Sequence, residues 1–244
     1  MPDAIFLDLD DTLIRNSRTF ADCWQMASEH HAPALDLPAD ALCTTIRQAH
    51  EWYWSDADRH REGRLDLRAA RVLNISKALR SLGRNPDEPD IASTIPAIAD
   101  AYMACRDRSL ELFPDSLDAL DRLCDANLPL ALLTNGASSA QRAKIERFDL
   151  ERRFAHIFIE GECGYGKPDK RIFHDALTAL SVSPDACWMV GDNLEWEVRG
   201  AQAAGLTGVW FDPHNAGLPP GTDIRPDRIV PSLTELANAA LEGA

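Results

Sequence analysis

The chain has 244 residues, of which 26% are charged, and its formal net charge at pH 7 is −14. Nucleic-acid phosphates and anionic lipids repel an acidic chain, so the charge argues against nucleic acid and against a membrane as the main partner. A small ligand accompanied by a cation fits this composition better. The length suits one large domain, or a core with a smaller module, and predicts a substantial buried core.

The cysteines and the hydropathy pattern predict a cytoplasmic protein. The six cysteines form no CxxC pair and show no metal-type spacing, which is typical of reduced thiols. No stretch approaches the length that spans a bilayer, and the first residues do not combine a basic region with a longer apolar run. We therefore expect a soluble chain without a targeting segment.

The first apolar run, residues 4–7, predicts a buried parallel strand that ends at a group of carboxylates. Asp8, Asp10 and Asp11 follow it, at the end of the strand where open α/β sheets bind ligands. Such crowded carboxylates repel one another, and a cation between them would relieve the repulsion. A solvated acidic turn explains the same residues, so both interpretations stay open at this point.

Helical periodicity follows for nearly a hundred residues and predicts a separate helical module. Its amphipathic stretches are expected near residues 18–31, 38–54, 66–82 and 90–112. In the third stretch, Val72, Ile75 and Leu79 share one face. Because the module is inserted just after the carboxylates, we expect it to act as a lid that opens and closes over the end of the first strand.

Three features of the helical module are candidates for ligand recognition. The basic segment between Arg59 and Arg84 is interpreted as a solvated helix face, with an anion-attracting rim as the alternative. The adjacent aromatic residues Trp52, Tyr53 and Trp54 either pack into the core or stack on a substrate. A loop predicted over residues 55–64 is the favoured place for selectivity.

From residue 113 onward, strand and helix signals alternate. Helices are expected at residues 115–126, 138–147, 169–180, 194–204 and from 232, and strands at residues 129–134, 155–159, 186–191 and 207–211. Strands that alternate with helices predict crossover units on a parallel sheet. The first strand belongs to this sheet, because a single strand cannot form one.

One of the later strands ends in Thr134, Asn135 and Gly136. A hydroxyl and backbone N–H groups at the start of a helix can cradle a phosphate, and an ordinary capped turn explains the same residues. The last of the candidate strand ends carries Asp192, with Glu195 and Glu197 close behind. Acidic residues at the start of a helix also favour the helix dipole, so this piece alone does not define a site.

The segment over residues 161–168 nearly matches a Walker A loop. Pro168 stands where Ser or Thr is required, and it supplies neither the hydroxyl that ligates Mg²⁺ nor a backbone N–H. We therefore reject a nucleotide-binding P-loop. Pro168 is expected at the first helical position with Asp169 in the first turn, which makes Lys167 a cation at a helix entrance or, alternatively, a solvated surface lysine.

Together these strand ends offer carboxylates, a hydroxyl with amides, and a lysine, which are the groups that hold Mg²⁺ and a phosphoryl group. The combination resembles the haloacid dehalogenase-like (HAD) superfamily, whose four motifs occur here in order. They are DLDDT at residues 8–12, LTNG at 133–136, GKPD at 166–169 and GDNLEWE at 191–197. Four ordered motifs are far more specific than any one of them.

The resemblance covers the whole chain, since many members insert a helical cap after the first motif. It implies an α/β fold with a three-layer Rossmann-like parallel-sheet core, formed by residues 1–15 and 110–244. It also implies an all-helical cap domain formed by residues 16–109.

The resemblance implies that Asp8 is the nucleophile, which forms an aspartyl phosphate, and that Asp10 is the acid/base. Thr134 and the Asn135 amide would hold the phosphoryl oxygens, and Lys167 would neutralise them. These roles agree with the requirements of phosphoryl transfer, which depends on positioning and charge stabilisation.

A magnesium site is implied as well, with Asp8, Asp192 and the main-chain carbonyl of Asp10 as ligands. The family often has a second Asp in its fourth motif, and Glu197 stands at that position here, with Glu195 as a competitor. Asp11 occupies a position where many members carry Gly and where Asp is also common.

The resulting hypothesis is a Mg²⁺-dependent phosphatase that acts on a small phosphorylated metabolite. A phosphomutase and a 2-haloacid dehalogenase are the alternatives within the superfamily, although such dehalogenases typically lack an acid/base residue at the position of Asp10. The non-enzymatic alternative is a phospho-acceptor signalling domain, which is usually much shorter and carries its acceptor Asp in mid-chain. Sugar phosphates, phosphoglycolate and nucleoside monophosphates all stay open as substrates.

Overall fold

The computed structural model describes residues 1–242 of the chain, and it divides the chain into two compact units. The core unit comprises Met1–Arg15 and Glu111–Ala244, and the helical unit comprises Asn16–Leu110. The core unit is therefore discontinuous in sequence, because the chain leaves it after the first strand and returns almost a hundred residues later.

Eight strands are present in the described residues. They are β1 (Ala4–Leu7), β2 (Ile14–Asn16), β3 (Leu110–Leu112), β4 (Leu130–Thr134), β5 (His156–Ile159), β6 (Cys187–Gly191), β7 (Thr207–Phe211) and β8 (Arg228–Val230). Six of them form one sheet in the order β5-β4-β1-β6-β7-β8, in which every pairing is parallel. The short strands β2 and β3 pair with each other. The predicted α/β fold with a parallel sheet is confirmed.

The central strands are apolar along their whole length because helices cover both faces of the sheet. Ala4 and Phe6 of β1 lie on one face and pack into a cluster with Ile172 and Phe173. The intervening Ile5 and Leu7 point to the other face and are equally buried. Continuous burial of this kind is characteristic of parallel strands in a three-layer fold.

The order of the strands explains where a ligand site should form. After β1 the chain adds β4 and then β5 on one side, and it later returns to place β6 on the other side of β1. The direction of strand addition therefore reverses beside β1. In open α/β sheets, ligands bind in the crevice at this switch point, outside the carboxyl ends of the strands.

Six α-helices accompany the sheet in the described part of the core unit. They are named here by position in the whole chain: α6 (Ser116–Asp125), α7 (Ser138–Arg147), α8 (Glu160–Cys163), α9 (Lys170–Leu180), α10 (Gly200–Ala203) and α11 (Leu233–Leu241). A π-helical turn, Leu194–Arg199, leads directly into α10. Short 3₁₀ turns occur at Glu151–Arg153 and Pro184–Ala186.

The helical unit has its own apolar core. Its helices are α1 (Phe20–His31), α2 (Ala39–Trp54), α3 (Ala57–Leu65), α4 (Leu67–Ser81) and α5 (Pro89–Arg108), with a 3₁₀ turn at Ala32–Leu35. Trp24 of α1 and Tyr102 of α5 stack with ring centroids 3.8 Å apart. Ile46 and Ile75 are fully buried in the same cluster. Amphipathic helices thus pack their apolar faces together, as the periodicity of the sequence predicts.

Residues 55–64, predicted as a loop, form most of α3 instead. The segment is strongly polar and lacks an apolar period, so no pattern in the sequence predicted a helix. Asp56 is the N-cap of this helix, and its side chain accepts a hydrogen bond from the backbone N–H of Arg59. The predicted helix over residues 90–112 also ends earlier, at Arg108, because the chain then enters β3.

The prediction that all six cysteines are free thiols is wrong for one pair. Cys23 of α1 and Cys105 of α5 form a disulfide, with their Cα atoms 5.6 Å apart, and Cys43, Cys124, Cys163 and Cys187 are free. The two cysteines lie 82 residues apart in sequence and meet only because α1 and α5 pack side by side. Since disulfides persist in oxidising compartments, the cysteine content no longer supports a cytoplasmic location. Among residues 1–242, no helix is both long and apolar enough to cross a membrane.

Candidate active site

Asp8 is the first residue after β1, and the fold buries it at the carboxyl end of the sheet. The residue is 5% exposed, and its backbone N–H donates to the carbonyl of Val190 on β6 at 3.0 Å. The ammonium Nζ of Lys167 lies 2.5 Å from Asp8 Oδ1. The fold therefore pairs a buried carboxylate with a buried cation at the switch point of the sheet.

Lys167 is 1% exposed, which excludes the alternative of a solvated surface lysine. Its Nζ also contacts Glu197 Oε1 at 3.0 Å. Burial alone would lower the pKa of this ammonium, but the carboxylates of Asp8 and Glu197 outweigh burial, so the pKa of Lys167 is raised. Lys167 consequently keeps its positive charge between the two carboxylates.

Asp8, Asp192 and Glu197 form a compact acidic cluster, with one carboxylate oxygen from each lying within 4.8 Å of the others. Three carboxylates and the single ammonium of Lys167 leave a net charge of −2 when all four groups are ionised. Burial, reinforced by the neighbouring carboxylates, raises the pKa of Asp192 to about 9. Burial likewise raises the pKa of Glu197 to about 7, although Lys167 opposes the shift.

This cluster fits a divalent cation. Carboxylate oxygens are the ligands that Mg²⁺ prefers in proteins, and Mg²⁺ is usually held by only one or two carboxylates together with water and substrate phosphates. A dication would balance the residual charge of −2 and, by favouring the ionised carboxylates, would oppose the rise that burial causes in their pKa values. Asp8, Asp192 and Glu197 are the residues of the described chain that could hold it.

Glu197, not Glu195, joins the cluster, and the local backbone explains why. The π-helical turn Leu194–Arg199 directs Glu197 back toward the end of β6, where its Oε2 accepts from the backbone N–H of Asn193 at 2.6 Å. Glu195 is exposed and pairs with Arg199 at 3.5 Å. π-Helical turns are rare and occur frequently at functional sites.

Gly191 provides the space that Glu197 occupies. A Cβ atom placed on Gly191 would lie 2.6 Å from both Cγ and Cδ of Glu197, which is closer than real side chains approach. The glycine of the fourth motif therefore permits close packing of the Glu197 side chain against the end of β6.

Thr134 and Asn135 are predicted to hold phosphoryl oxygens. Thr134 is the last residue of β4, next to β1, and Asn135 follows it. Thr134 is buried, and its Oγ1 accepts a hydrogen bond from Gln141 Nε2 at 2.5 Å. The Asn135 side chain makes two hydrogen bonds to the backbone of Lys167, both 2.8 Å long. Asn135 thus has a role that sequence reasoning missed: it fastens the segment that carries the buried lysine.

The Lys167–Pro168 peptide bond is cis. The prediction that Pro168 is the first helical residue is wrong, because α9 begins at Lys170 and Asp169 is its N-cap, with its side chain accepting from the N–H of Arg171. Asp169 therefore caps the helix from outside the first turn. Gly166, just before the lysine, approaches Asn135 and Glu160 so closely that a Cβ atom would collide with both side chains.

Asp10 lies outside the acidic cluster and has its own cation. Lys144 Nζ on α7 lies 2.7 Å from Asp10 Oδ1 and 2.9 Å from Oδ2. Gln141 Nε2 donates to Asp10 Oδ2 at 2.8 Å. Gln141 and Lys144 were not selected from the sequence, because a polar pair on a helix carries no metal or catalytic motif; their spacing of three residues on one helix face was the available signal.

Asp11 adopts a left-handed backbone conformation with φ of 59°. This region favours Gly and admits Asp or Asn more readily than other residues. The conformation accounts for the presence of Asp11 at a position where the family often has Gly.

The aromatic residues considered for substrate stacking in the helical unit differ in how far they are buried. Tyr53 packs into the interior, whereas Trp52 is 40% exposed with the Arg59 guanidinium 4.0 Å above its ring. In the basic segment, Arg61 and Arg68 are exposed and pair with Asp58 and Asp100. These pairs agree with a solvated helix face at Arg61 and Arg68, whereas Arg71 of the same segment is partly buried, with its guanidinium over the rings of Trp54 and Tyr102.

Comparison with known proteins identifies the family of this chain. A family model for haloacid dehalogenase-like hydrolases matches residues 2–205. The chain belongs to the haloacid dehalogenase-like hydrolase family, which confirms both the resemblance drawn from the four motifs and the prediction of a hydrolase.

Named relatives of similar length are phosphatases. The chain is 34% identical over 253 aligned positions to a phosphoserine phosphatase from Thermus thermophilus, with 95% of this chain and 96% of the relative covered. It is 28% identical to a glyceraldehyde 3-phosphate phosphatase from Methanopyrus kandleri, with coverage of 96% and 98%.

Solved structures share the fold. The magnesium-bound HAD-hydrolase YfnB from Bacillus subtilis aligns with a TM-score of 0.70 at 21% identity, covering 98% of each chain. A 2-haloacid dehalogenase from Pseudomonas syringae aligns with a TM-score of 0.67 at 24% identity, covering 100% of each chain. At these identities the similarity concerns the fold alone.

Proposed function

We propose that this protein is a Mg²⁺-dependent phosphatase that hydrolyses a small phosphate monoester through an aspartyl phosphate on Asp8. The observation that carries the proposal is the buried cluster of Asp8, Asp192 and Glu197, whose charge Lys167 neutralises only in part. The relatives named above as phosphoserine and glyceraldehyde 3-phosphate phosphatases support a small phosphorylated metabolite as the substrate class.

In the first half-reaction, an Asp8 oxygen attacks phosphorus and the bond from phosphorus to the alcohol oxygen breaks. Asp10 gives its proton to the departing oxygen, which leaves as a neutral alcohol. Thr134 and the backbone at Asn135 hold the phosphoryl oxygens, and Lys167 offsets their negative charge. When bound, Mg²⁺ supplies further neutralisation of the charge on the transferring group.

In the second half-reaction, Asp10 takes a proton from water, whose oxygen attacks phosphorus. The bond between phosphorus and Asp8 breaks, and this step releases inorganic phosphate and restores the Asp8 carboxylate. Asp10 is thereby protonated and ready for the next alcohol. Each half-reaction uses the same two carboxylates, which suits their positions two residues apart after β1.

A 2-haloacid dehalogenase is the alternative with the same nucleophile, and the surroundings of Asp10 favour the phosphatase. Halide leaves without protonation, so a dehalogenase has no need of a second carboxylate that can carry a proton. Here Asp10 is held by two side chains, Lys144 and Gln141, and one of these also contacts Thr134. These contacts with Asp10 are consistent with proton transfer to an alcohol.

Phosphate release from p-nitrophenyl phosphate tests the proposal. We expect hydrolysis that requires added Mg²⁺, stops with EDTA, and falls by at least about 1,000-fold in Asp8→Asn, since the nucleophile is removed. Release of chloride from 2-chloropropionate without phosphate release would replace the phosphatase by a dehalogenase. Activity that is unchanged in Asp8→Asn would reject the nucleophile.

A further inference from the structure

Lys144 and Gln141 of α7 contact Asp10, and Gln141 also contacts Thr134. Neither Lys144 nor Gln141 belongs to any of the four motifs. Lys144 Nζ contacts both oxygens of Asp10, at 2.7 and 2.9 Å, and also donates to Gln141 Oε1 at 2.8 Å. Gln141 is 2% exposed, and its Nε2 contacts Asp10 Oδ2 and Thr134 Oγ1. The two residues lie three positions apart and therefore on the same helix face.

The bond from Lys144 fixes the orientation of the Gln141 amide. The Lys144 ammonium can only donate hydrogen bonds, so the group of Gln141 that faces it must be the amide oxygen, which accepts. The Gln141 nitrogen must then point the other way, toward Asp10 and Thr134. A single amide nitrogen thus touches both the carboxylate assigned to proton transfer and the hydroxyl assigned to the phosphoryl group.

We propose that Lys144, acting together with Gln141, is the positioning residue that holds the Asp10 carboxylate beside the phosphoryl-binding Thr134 for proton transfer to the leaving alcohol. The proposal rests on the phosphatase function proposed above. A carboxylate side chain that follows a strand rotates freely when it is unsupported, and a misplaced proton donor loses much of its effect. The contacts from α7 remove that freedom.

The surroundings of α7 show that this arrangement is specific to Lys144. Arg142, on the same helix, faces away from Asp10 and forms a two-bond ion pair with Glu162 of α8 at 2.8 and 2.9 Å. Two cations on one helix therefore have separate partners. Arg142→Met removes an ion pair from α7 without touching Asp10, which makes it the matched control for a loss of charge on this helix.

The test compares the wild type, Lys144→Met, Lys144→Arg and Arg142→Met on aryl phosphates at saturating Mg²⁺. The substrates run from p-nitrophenyl phosphate, whose phenol leaves readily, to p-methoxyphenyl phosphate, whose phenol needs protonation. For Lys144→Met we expect kcat to fall about tenfold on the first and about 100-fold on the second, since general acid catalysis contributes most to the poorer leaving group. Lys144→Arg should recover part of the loss, and Arg142→Met should behave as the wild type.

A double-mutant cycle separates positioning from a structural role. In an Asp10→Asn background, adding Lys144→Met should change kcat less than twofold, because the group that Lys144 positions is already removed. If Lys144 had only a structural role, Lys144→Met would lower kcat equally in both backgrounds and equally on both substrates. An equal loss in the two backgrounds, or an equal loss on the two substrates, would overturn the proposal. A rise of kcat in Lys144→Met would also overturn it, since Lys144 would then hold Asp10 away from its task.

The outcomes keep this proposal distinct from the phosphatase function. If the wild type hydrolyses no aryl phosphate, the proposed function fails and this inference fails with it. If the wild type hydrolyses both esters and Lys144→Met does so equally well, only the positioning role is rejected.

Discussion

Asn135 and Lys167 are joined by a reciprocal pair of hydrogen bonds: Asn135 Nδ2 donates to the Lys167 carbonyl, and the Lys167 N–H donates to Asn135 Oδ1, each at 2.8 Å. The end of β4 is thereby tied to the segment before α9. The tie determines where the Lys167 ammonium enters the acidic cluster. An asparagine side chain matches the backbone in this way because it has both a donor and an acceptor.

The first prediction concerns this tie. Asn135→Ala removes both hydrogen bonds and leaves the Lys167 ammonium less well placed, so kcat should fall by about 10- to 100-fold, corresponding to two bonds of about 1 kcal/mol each. The measurement is kcat on p-nitrophenyl phosphate alongside urea unfolding. Asn127→Ala, at an exposed turn of the core unit where φ is 57°, is the control: it should lower stability and leave kcat unchanged. Equal effects of the two substitutions on kcat would contradict the role of Asn135.

The second prediction distinguishes the two glutamates of the fourth motif. Glu197→Gln removes a charge from the acidic cluster and should raise the Mg²⁺ concentration for half-maximal activity by about 10- to 100-fold. Glu195→Gln, an identical change two residues away on the exposed side of the turn, should shift it by less than about twofold. A larger shift in Glu195→Gln than in Glu197→Gln would mean that Glu195, and not Glu197, lies at the metal.

The third prediction concerns Gly191. A methyl group at this position would displace the Glu197 carboxylate, so Gly191→Ala should weaken Mg²⁺ binding in calorimetric titrations as Glu197→Gln does. Gly164→Ala is the comparison, because Gly164 has a φ of 78° and open space around it. That change should cost about 1 kcal/mol of stability and leave Mg²⁺ affinity intact. Normal Mg²⁺ affinity in Gly191→Ala would refute the packing argument.

The fourth prediction is a pH dependence of the helical unit. Burial, together with the charges of Arg71 and Arg106, lowers the pKa of His50 from 6.5 to about 4. Its Nδ1 accepts a hydrogen bond from Trp54 Nε1 at 3.1 Å, which requires an unprotonated nitrogen. Between about pH 6.5 and pH 4 the unfolded chain therefore binds more protons at this residue than the folded chain does.

Stability from His50 is consequently present above pH 6.5 and lost as the pH falls toward 4. The free energy of unfolding should fall by about 1–2 kcal/mol over this interval for a half-buried imidazole. His50→Asn should flatten the dependence, and His30→Asn, at an exposed position, should not. Parallel curves for His50→Asn and the wild type, measured by urea unfolding at each pH, would contradict the assignment.

The sequence was most informative where chemistry and periodicity coincide. The apolar run of β1 and the carboxylates after it predicted a buried strand that ends in Asp8, and the structure places Asp8 there. Alternation of strands and helices predicted the parallel sheet correctly, because each crossover unit carries its own local signal. Four motifs at strand ends predicted that Asp8, Lys167 and Asp192 would be neighbours, since parallel strands end at one edge of the sheet.

Contacts that depend on packing could not be predicted from the sequence. Glu195 and Glu197 are indistinguishable by composition, and only the π-helical turn decides which of them reaches the cluster. The disulfide between Cys23 and Cys105 depends on how α1 lies against α5, which spacing alone does not determine. Lys144 was missed for the same reason, because its partner Asp10 lies 134 residues away.

Trapping the intermediate shows whether Asp8 receives the phosphoryl group in a cluster that binds a divalent cation. The enzyme is mixed with a phosphate monoester and Mg²⁺, quenched in acid during turnover, digested, and analysed by mass spectrometry. We expect the peptide containing Asp8 to gain the mass of one phosphoryl group, and to show no gain with EDTA or in Asp8→Asn. Turnover with an unmodified Asp8 peptide, or with the phosphoryl group on another residue, would rule out Asp8 as the nucleophile.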